Sequence, residues 1–232
     1  MKMITFGNGS IKRAWRSIVC CAFVAFSISN SLSAQTANLK ISAIPYTLEV
    51  KNTSVSYIIN DSKIEITAAG KTNLFNNPNG IYKVQNAPMV LFAPKGDFTL
   101  SAKVTGELKS IYDVAALVVY QDENTWAKFC YENSVDKQPT IVSVVTRTYS
   151  DDCNSVQADS YAYLAVVRKG QEFSFLYSAD KEDWKMIRHF RLDITDMLKV
   201  GFAAHGSRGD GFTGTFTEVA YHDKALENMR GD

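Results

Sequence analysis

The chain has 232 residues, a formal net charge of +1, 46% hydrophobic and 21% charged residues. This is a globular composition, and the near-neutral balance argues against nucleic acid or an anionic membrane surface as a partner. Aromatic residues make up 12% and prolines number only 5, which suits one large β domain behind a leader.

Residues 1–34 read as an export signal. Lys2, Lys12, Arg13 and Arg16 form a basic start, and 18–28 is an apolar run. That run is shorter than the roughly 20 residues a spanning helix needs. Leu32-Ser33-Ala34 precedes Gln35, so the cut falls after Ala34 or after Ser33. An uncleaved anchor is the alternative. Ser17-Ile18-Val19 before Cys20 is a poor lipobox, and the apolar run continues beyond Cys21. The expectation is an exported protein, periplasmic or extracellular, with no membrane span after cleavage.

A lead-in with the first strands occupies 35–62, with strands at 46–50 and 56–59. Residues 63–67 (Lys-Ile-Glu-Ile-Thr) alternate as a half-buried strand does. Residues 70–80 read as loop, ending in the turn-forming run Asn76-Asn77-Pro78-Asn79-Gly80. Strands are expected at 81–84, 89–92 and 98–108, the last with Phe98, Leu100, Ala102 and Val104 on one face. Residues 115–120 and 126–132 flank a short polar turn and form a hairpin. A strand at 141–149 is followed by a polar loop at 150–155. Further strands fall at 161–168, 172–178, 184–190, 198–205 and 212–221. A single helical turn is expected within 192–197 and a glycine-rich loop at 206–211. The sandwich or barrel that these strands imply spans 63–222, and 223–232 is a polar tail.

Alternation sorts the hairpin's second strand. Ala127, Phe129 and Tyr131 fall on a core face; Trp126, Lys128, Cys130 and Glu132 fall on the other. An aromatic plate, an ammonium, a thiol and a carboxylate suit an open, solvated groove better than a packed core. Cys130 and Cys153 survive removal of the leader, and an oxidising compartment allows a disulfide between them. That bridge requires the 150–155 loop to fold back over the sheet, because an extended strand would carry Cys153 about 30 Å away.

The run Tyr112-Asp113-Val114-Ala115-Ala116-Leu117-Val118-Val119, followed by Trp126-Ala127-Lys128 and Glu132, resembles the regulation of enolase protein family. So do Asp97-Phe98-Thr99-Leu100, Ser143-Val144-Val145-Thr146, Tyr177-Ser178-Ala179-Asp180 with Trp184, and Gly201-Phe202-Ala203-Ala204 with Phe216. The resemblance covers about 63–221. The family is a domain of unknown function placed with the concanavalin A-like lectins and glucanases. What it implies is an all-β, two-sheet antiparallel jelly-roll sandwich, concanavalin A-like, whose concave groove meets carbohydrate. This chain departs from the family pattern where Asp152-Cys153 follow Ser150-Asp151, a place usually held by an aromatic, and where Ala116 replaces a frequent glycine.

On this basis Trp126 and Tyr120 are expected to offer flat faces to a sugar ring. Tyr112, Asp113, Lys128, Glu132 and Arg147 would supply hydrogen bonds. The bland alternative is a solvated sheet face with a surface Lys–Glu pair worth ~0–1 kcal/mol. Glycoside hydrolysis needs two carboxyl groups, and no alternate-acid cluster is present; Glu132 is the best catalytic candidate. Lys128 beside it would favour the ionised form, suiting a base or nucleophile rather than an acid. His189, His205 and His222 lack metal-ligand spacing, so neither metal nor cofactor is expected. Cys130 has no evident His partner and reads as a semi-buried thiol. The leading expectation is a non-enzymatic carbohydrate-binding protein. The alternatives are a glycoside hydrolase using Glu132 and an extracellular protein-binding scaffold. The oligomeric state stays open.

Overall fold

Period-two alternation of β-branched and aromatic residues with polar ones builds strand after strand from Leu39 onward. The computed structural model describes residues 39–230, so the expected leader and its cleavage site lie outside the described residues. In chain order the strands are β1 (Leu39–Ile41), β2 (Ile44–Lys51), β3 (Ser56–Asn60), β4 (Lys63–Ala69), β5 (Leu74–Asn76) and β6 (Lys83–Gln85). Then come β7 (Met89–Phe92), β8 (Phe98–Gly106), β9 (Asp113–Tyr120), β10 (Thr125–Asn133), β11 (Pro139–Arg147) and β12 (Tyr149–Gln157). The last are β13 (Tyr161–Lys169), β14 (Glu172–Ser178), β15 (Lys185–Arg191), β16 (Lys199–Gly206) and β17 (Gly211–His222).

Two large antiparallel sheets form a sandwich. The first has eight strands in the order β1-β2-β7-β16-β9-β10-β11-β12; the second has seven, β15-β14-β13-β8-β17-β4-β3. The early strands therefore serve both sheets, β1 and β2 at one edge of the first and β3 at one edge of the second. Between the sheets lies the main core, including Leu117, Val119, Phe129 and Tyr131 from one side and Ile64, Leu100, Val166 and Phe175 from the other. Phe129 stacks on Phe175 across the interface at 4.8 Å between ring centroids.

A second apolar layer covers the opposite face of the first sheet. There Val118, Tyr120, Trp126, Cys130 and Val144 pack with Leu74 and Ala87. Both come from 70–87, which reads as loop and short strand in sequence. Residues 70–87 form a strap, with β5 and β6 paired as a small two-stranded sheet. At one end Gly70 bridges to Gly206. Any side chain at Gly70 would collide with the Gly209 carbonyl, so only glycine lets the strap start this close to the 206–211 loop. At the other end Asn76 Nδ2 donates to the Glu123 and Thr148 carbonyls, both at 2.9 Å, and Ser150 Oγ accepts the Asn76 N–H at 2.9 Å.

Two expectations are corrected. The 150–155 segment is strand rather than loop, because β12 turns back and pairs along β11 from Arg147 to Thr140. Its polar side chains tolerate this because β12 is an edge strand and largely exposed. The segment expected to hold a helical turn is extended, with a single tight turn closed by the Leu198 N–H on the Thr195 carbonyl.

Candidate functional site

The strap does not lie flat over the whole first sheet. Beneath one part, Leu74 seals Tyr120 and Trp126 into the dry second layer. Farther along β10, strap and sheet separate and leave a cavity of about 420 Å³. On the sheet side the cavity is lined by Lys128, Glu132, Val142, Val144 and His205. Cys130 pairs with Ala116, which pairs with Ala203, and this row of small residues lies between Lys128 and Glu132 within the packed layer. Across β9, Val114 separates Glu132 from His205 on one row. Val144 separates Lys128 from Asp152 on another. The strap supplies the opposite wall with Phe75 and Tyr82, whose rings lie 6.3 Å apart.

Lys128 is 3% exposed and places its Nζ 3.0 Å from His205 Nε2. His205 Nδ1 lies 3.3 Å from Ser207 Oγ, and that hydroxyl donates to the Thr72 carbonyl at 3.2 Å. A carbonyl only accepts, which fixes the direction of the chain. Ser207 spends its proton on Thr72, and His205 Nδ1–H is shared between Ser207 Oγ and the Tyr112 carbonyl. Nε2 is then left to accept from the Lys128 ammonium. The imidazole is therefore neutral. Burial first, and the Lys128 charge second, hold its pKa well below the usual histidine value.

Glu132 is 7% exposed, and its carboxyl has no hydrogen-bond or ion-pair partner among the described residues. Burial pushes its pKa up to about 7; Lys128 pulls it down, and Asp152 adds to the rise. Lys128 does favour the ionised form of Glu132, as expected, but it does not decide the balance. Desolvation outweighs the ammonium, which forms no ion pair with the carboxyl, so Glu132 carries a proton for part of the time near neutrality. The Lys128 ammonium has three donors and uses one on His205. The floor thus presents spare buried donors and a spare buried acceptor to one cavity. Tyr112, Arg208, Lys71 and the exposed Asp152 stand around them.

The family model described as protein of unknown function (DUF1349) matches residues 50–224. The chain belongs to that family. Regulation of enolase protein 1 of Saccharomyces cerevisiae is 31% identical over 138 residues, covering 57% of this chain and 69% of that protein. A functionally unknown protein from Saccharomyces cerevisiae shares the fold at a TM-score of 0.72 and 22% identity, covering 78% of this chain and 97% of that one. The xylan β-1,4-xylosidase of Bacillus halodurans matches at a TM-score of 0.54 and 13% identity, over 75% of this chain and 38% of that one. The chain thus spans little over a third of the xylosidase, and the likeness is one of fold.

In this DUF1349 chain the residues singled out from sequence divide. Tyr112, Lys128 and Glu132 meet in the cavity. Trp126 is fully buried in the dry layer and Tyr120 nearly so, with the Lys51 ammonium 5.1 Å from the Tyr120 ring centroid. The open, solvated face expected for Trp126 is corrected: the strap covers it. Asp113 faces away from the cavity and holds a turn, its Oδ2 accepting the Lys109 and Ser110 N–H groups at 3.0 and 2.7 Å. Arg147 lies at an exposed edge and donates to the Arg191 carbonyl. Cys130 and Cys153 are both free thiols. β12 does fold back, setting Cys153 beside Ser143 while Cys130 sits beside Val142. The two cysteines therefore point to opposite faces of one sheet, and no disulfide joins them. Cys130 is fully buried, more deeply than expected, and burial pushes its pKa up to about 12.

Sequence reasoning missed His205, Asp152, Arg208 and Tyr82 as cavity residues. Alternation along 199–206 places Ala203 and His205 on one face, but pairing of that strand with 113–120 is a long-range fact. Among the described residues no group of three or more His, Cys, Asp or Glu side chains is placed to hold a metal ion. No helix there is long and apolar enough to cross a membrane.

Proposed function

We propose that this protein binds carbohydrate in the cavity between the strap and the first sheet, and that it does so after export directed by its leader. One observation carries the reading. The buried Lys128 donors and the unpartnered Glu132 carboxyl open into one cavity under an aromatic wall. A sugar hydroxyl both donates and accepts, so a vicinal diol satisfies both groups at once, while Phe75 and Tyr82 offer apolar ring surface to a pyranose face. Unsatisfied buried polar groups are costly, which gives such a ligand its advantage over an apolar one. The fold shared with part of a xylosidase is in keeping with this reading.

The test is a glycan panel with the full chain alongside Glu132→Gln and Tyr82→Ala. Binding of at least one saccharide is expected, weakened about tenfold or more by either substitution. Absence of any saccharide binding at high protein concentration overturns the reading and favours a protein-binding role.

A second reading rests on the cavity's two carboxyl groups. Glu132 is buried with a raised pKa and Asp152 is exposed, a division that suits a general acid and its partner in glycoside hydrolysis. Product analysis on a bound glycan separates the two. Turnover that Glu132→Gln or Asp152→Asn abolishes would establish the hydrolase.

A further inference from the structure

β10 and the turn after it pass through three environments. Trp126 lies in the dry layer, Lys128 and Glu132 line the cavity, and Asn133, Val135 and Lys137 line a second, open groove of about 740 Å³. Cavity and groove share two residues, Tyr112 and Arg208. The apolar layer bounds the cavity toward Trp126, and at its other end the cavity adjoins the groove at Tyr112 and Arg208. Tyr112 marks the junction and is fixed there. Its backbone has φ 66°, its N–H donates to the Asn133 carbonyl at 2.8 Å, and its carbonyl accepts the Ser207 N–H at 3.2 Å.

Charge in the groove is one-sided, whereas the cavity also holds the Glu132 and Asp152 carboxyl groups. The groove is lined by Lys109, Lys137 and Arg208 and by no carboxylate. Glu107 pairs with Lys109 at 2.9 Å, which discounts that lysine. Lys137 and Arg208 are exposed and have no ion-pair partner among the described residues, and the same holds for Lys71 on the cavity rim. A guanidinium presents a fork that matches a carboxylate. An apolar wall on the Trp126 side of the cavity favours a chain that ends there.

We infer that cavity and groove form one site for the end of an acidic oligosaccharide. The terminal sugar occupies the cavity, and the next, carboxylate-bearing units lie along the groove against Arg208 and Lys137. This deepens the carbohydrate reading above and rests on it.

Calorimetry on the full chain tests it, using galacturonate, mannuronate and glucuronate monomers, their trisaccharides, and xylotriose as the neutral trisaccharide. An acidic trisaccharide is expected to bind about tenfold or more tighter than its monomer and than xylotriose. That advantage should fall as salt is raised. It should shrink below about threefold in the Lys137→Glu, Arg208→Glu double variant, whose thermal unfolding checks that it is folded. A trisaccharide no tighter than its monomer, or xylotriose as tight as the acidic chains, overturns the extended acidic site and leaves the carbohydrate reading standing. Failure of every saccharide here and in the wider panel removes both.

Discussion

Glu132 and His205 pull stability in opposite directions with pH. Glu132 ordinarily titrates at 4.5 and in the fold at about 7. Between those values the folded state holds a proton that the unfolded state has lost, so this group lowers stability as pH rises, by about 1.4 kcal/mol per unit. His205 is depressed below its ordinary 6.5. The unfolded state takes up its proton first, so this group lowers stability as pH falls below 6.5. From about pH 4.5 to 6.5 the two slopes oppose each other. Glu132→Gln removes one of them. Urea unfolding at a series of pH values should therefore show the variant losing stability on acidification by about 1.4 kcal/mol per unit more than the parent in that window. Parallel pH profiles would show that Glu132 is not held with a raised pKa.

Among the elements, the strap is the one whose role was least legible. Its turn residues 76–80 and the alternation of its neighbours are readable, but its course over the first sheet depends on partners far along the chain: Gly206, Glu123, Thr148 and Ser150. The two faces of β10 were legible, since period-two alternation separates Phe129 from Lys128 without any tertiary knowledge. What alternation leaves out is the covering of a face. Trp126 and Glu132 share one face, and only the strap makes the first dry and the second a cavity residue. Polar composition misled at 150–155, where an edge position tolerates side chains that an interior strand would not. Asn76 is 3% exposed and anchors the strap with both of its side-chain atoms, its Oδ1 accepting from Gln85 Nε2 at 2.7 Å. Asn76→Ala removes the donors to the Glu123 and Thr148 carbonyls, the first of which keeps Gln85 Nε2, together with the acceptor for Gln85, and should cost about 1–2 kcal/mol. Hydrogen exchange should quicken in 72–87 while β13 and β14 stay protected. Uniform acceleration across both sheets would show that the strap does not open on its own.

At the scale of the molecule the two apolar layers have separate duties. The inter-sheet core carries the fold, and the Phe129–Phe175 stack sits within it. Phe129→Ala should cost about 3–5 kcal/mol in global unfolding, a loss readable as a lower denaturant midpoint at unchanged slope. A cost below about 1 kcal/mol would place the dominant core elsewhere. The outer layer shapes the cavity, and here the Thr72 carbonyl has a consequence of its own. It ends the run of hydrogen bonds that begins at Lys128, and it belongs to the strap. The same segment that roofs the cavity thus acts with the Tyr112 carbonyl to set the polarity of the groups on its floor. While the roof is in place the imidazole has one orientation, and an arriving guest finds the donors already aligned, with little left to reorganise on arrival.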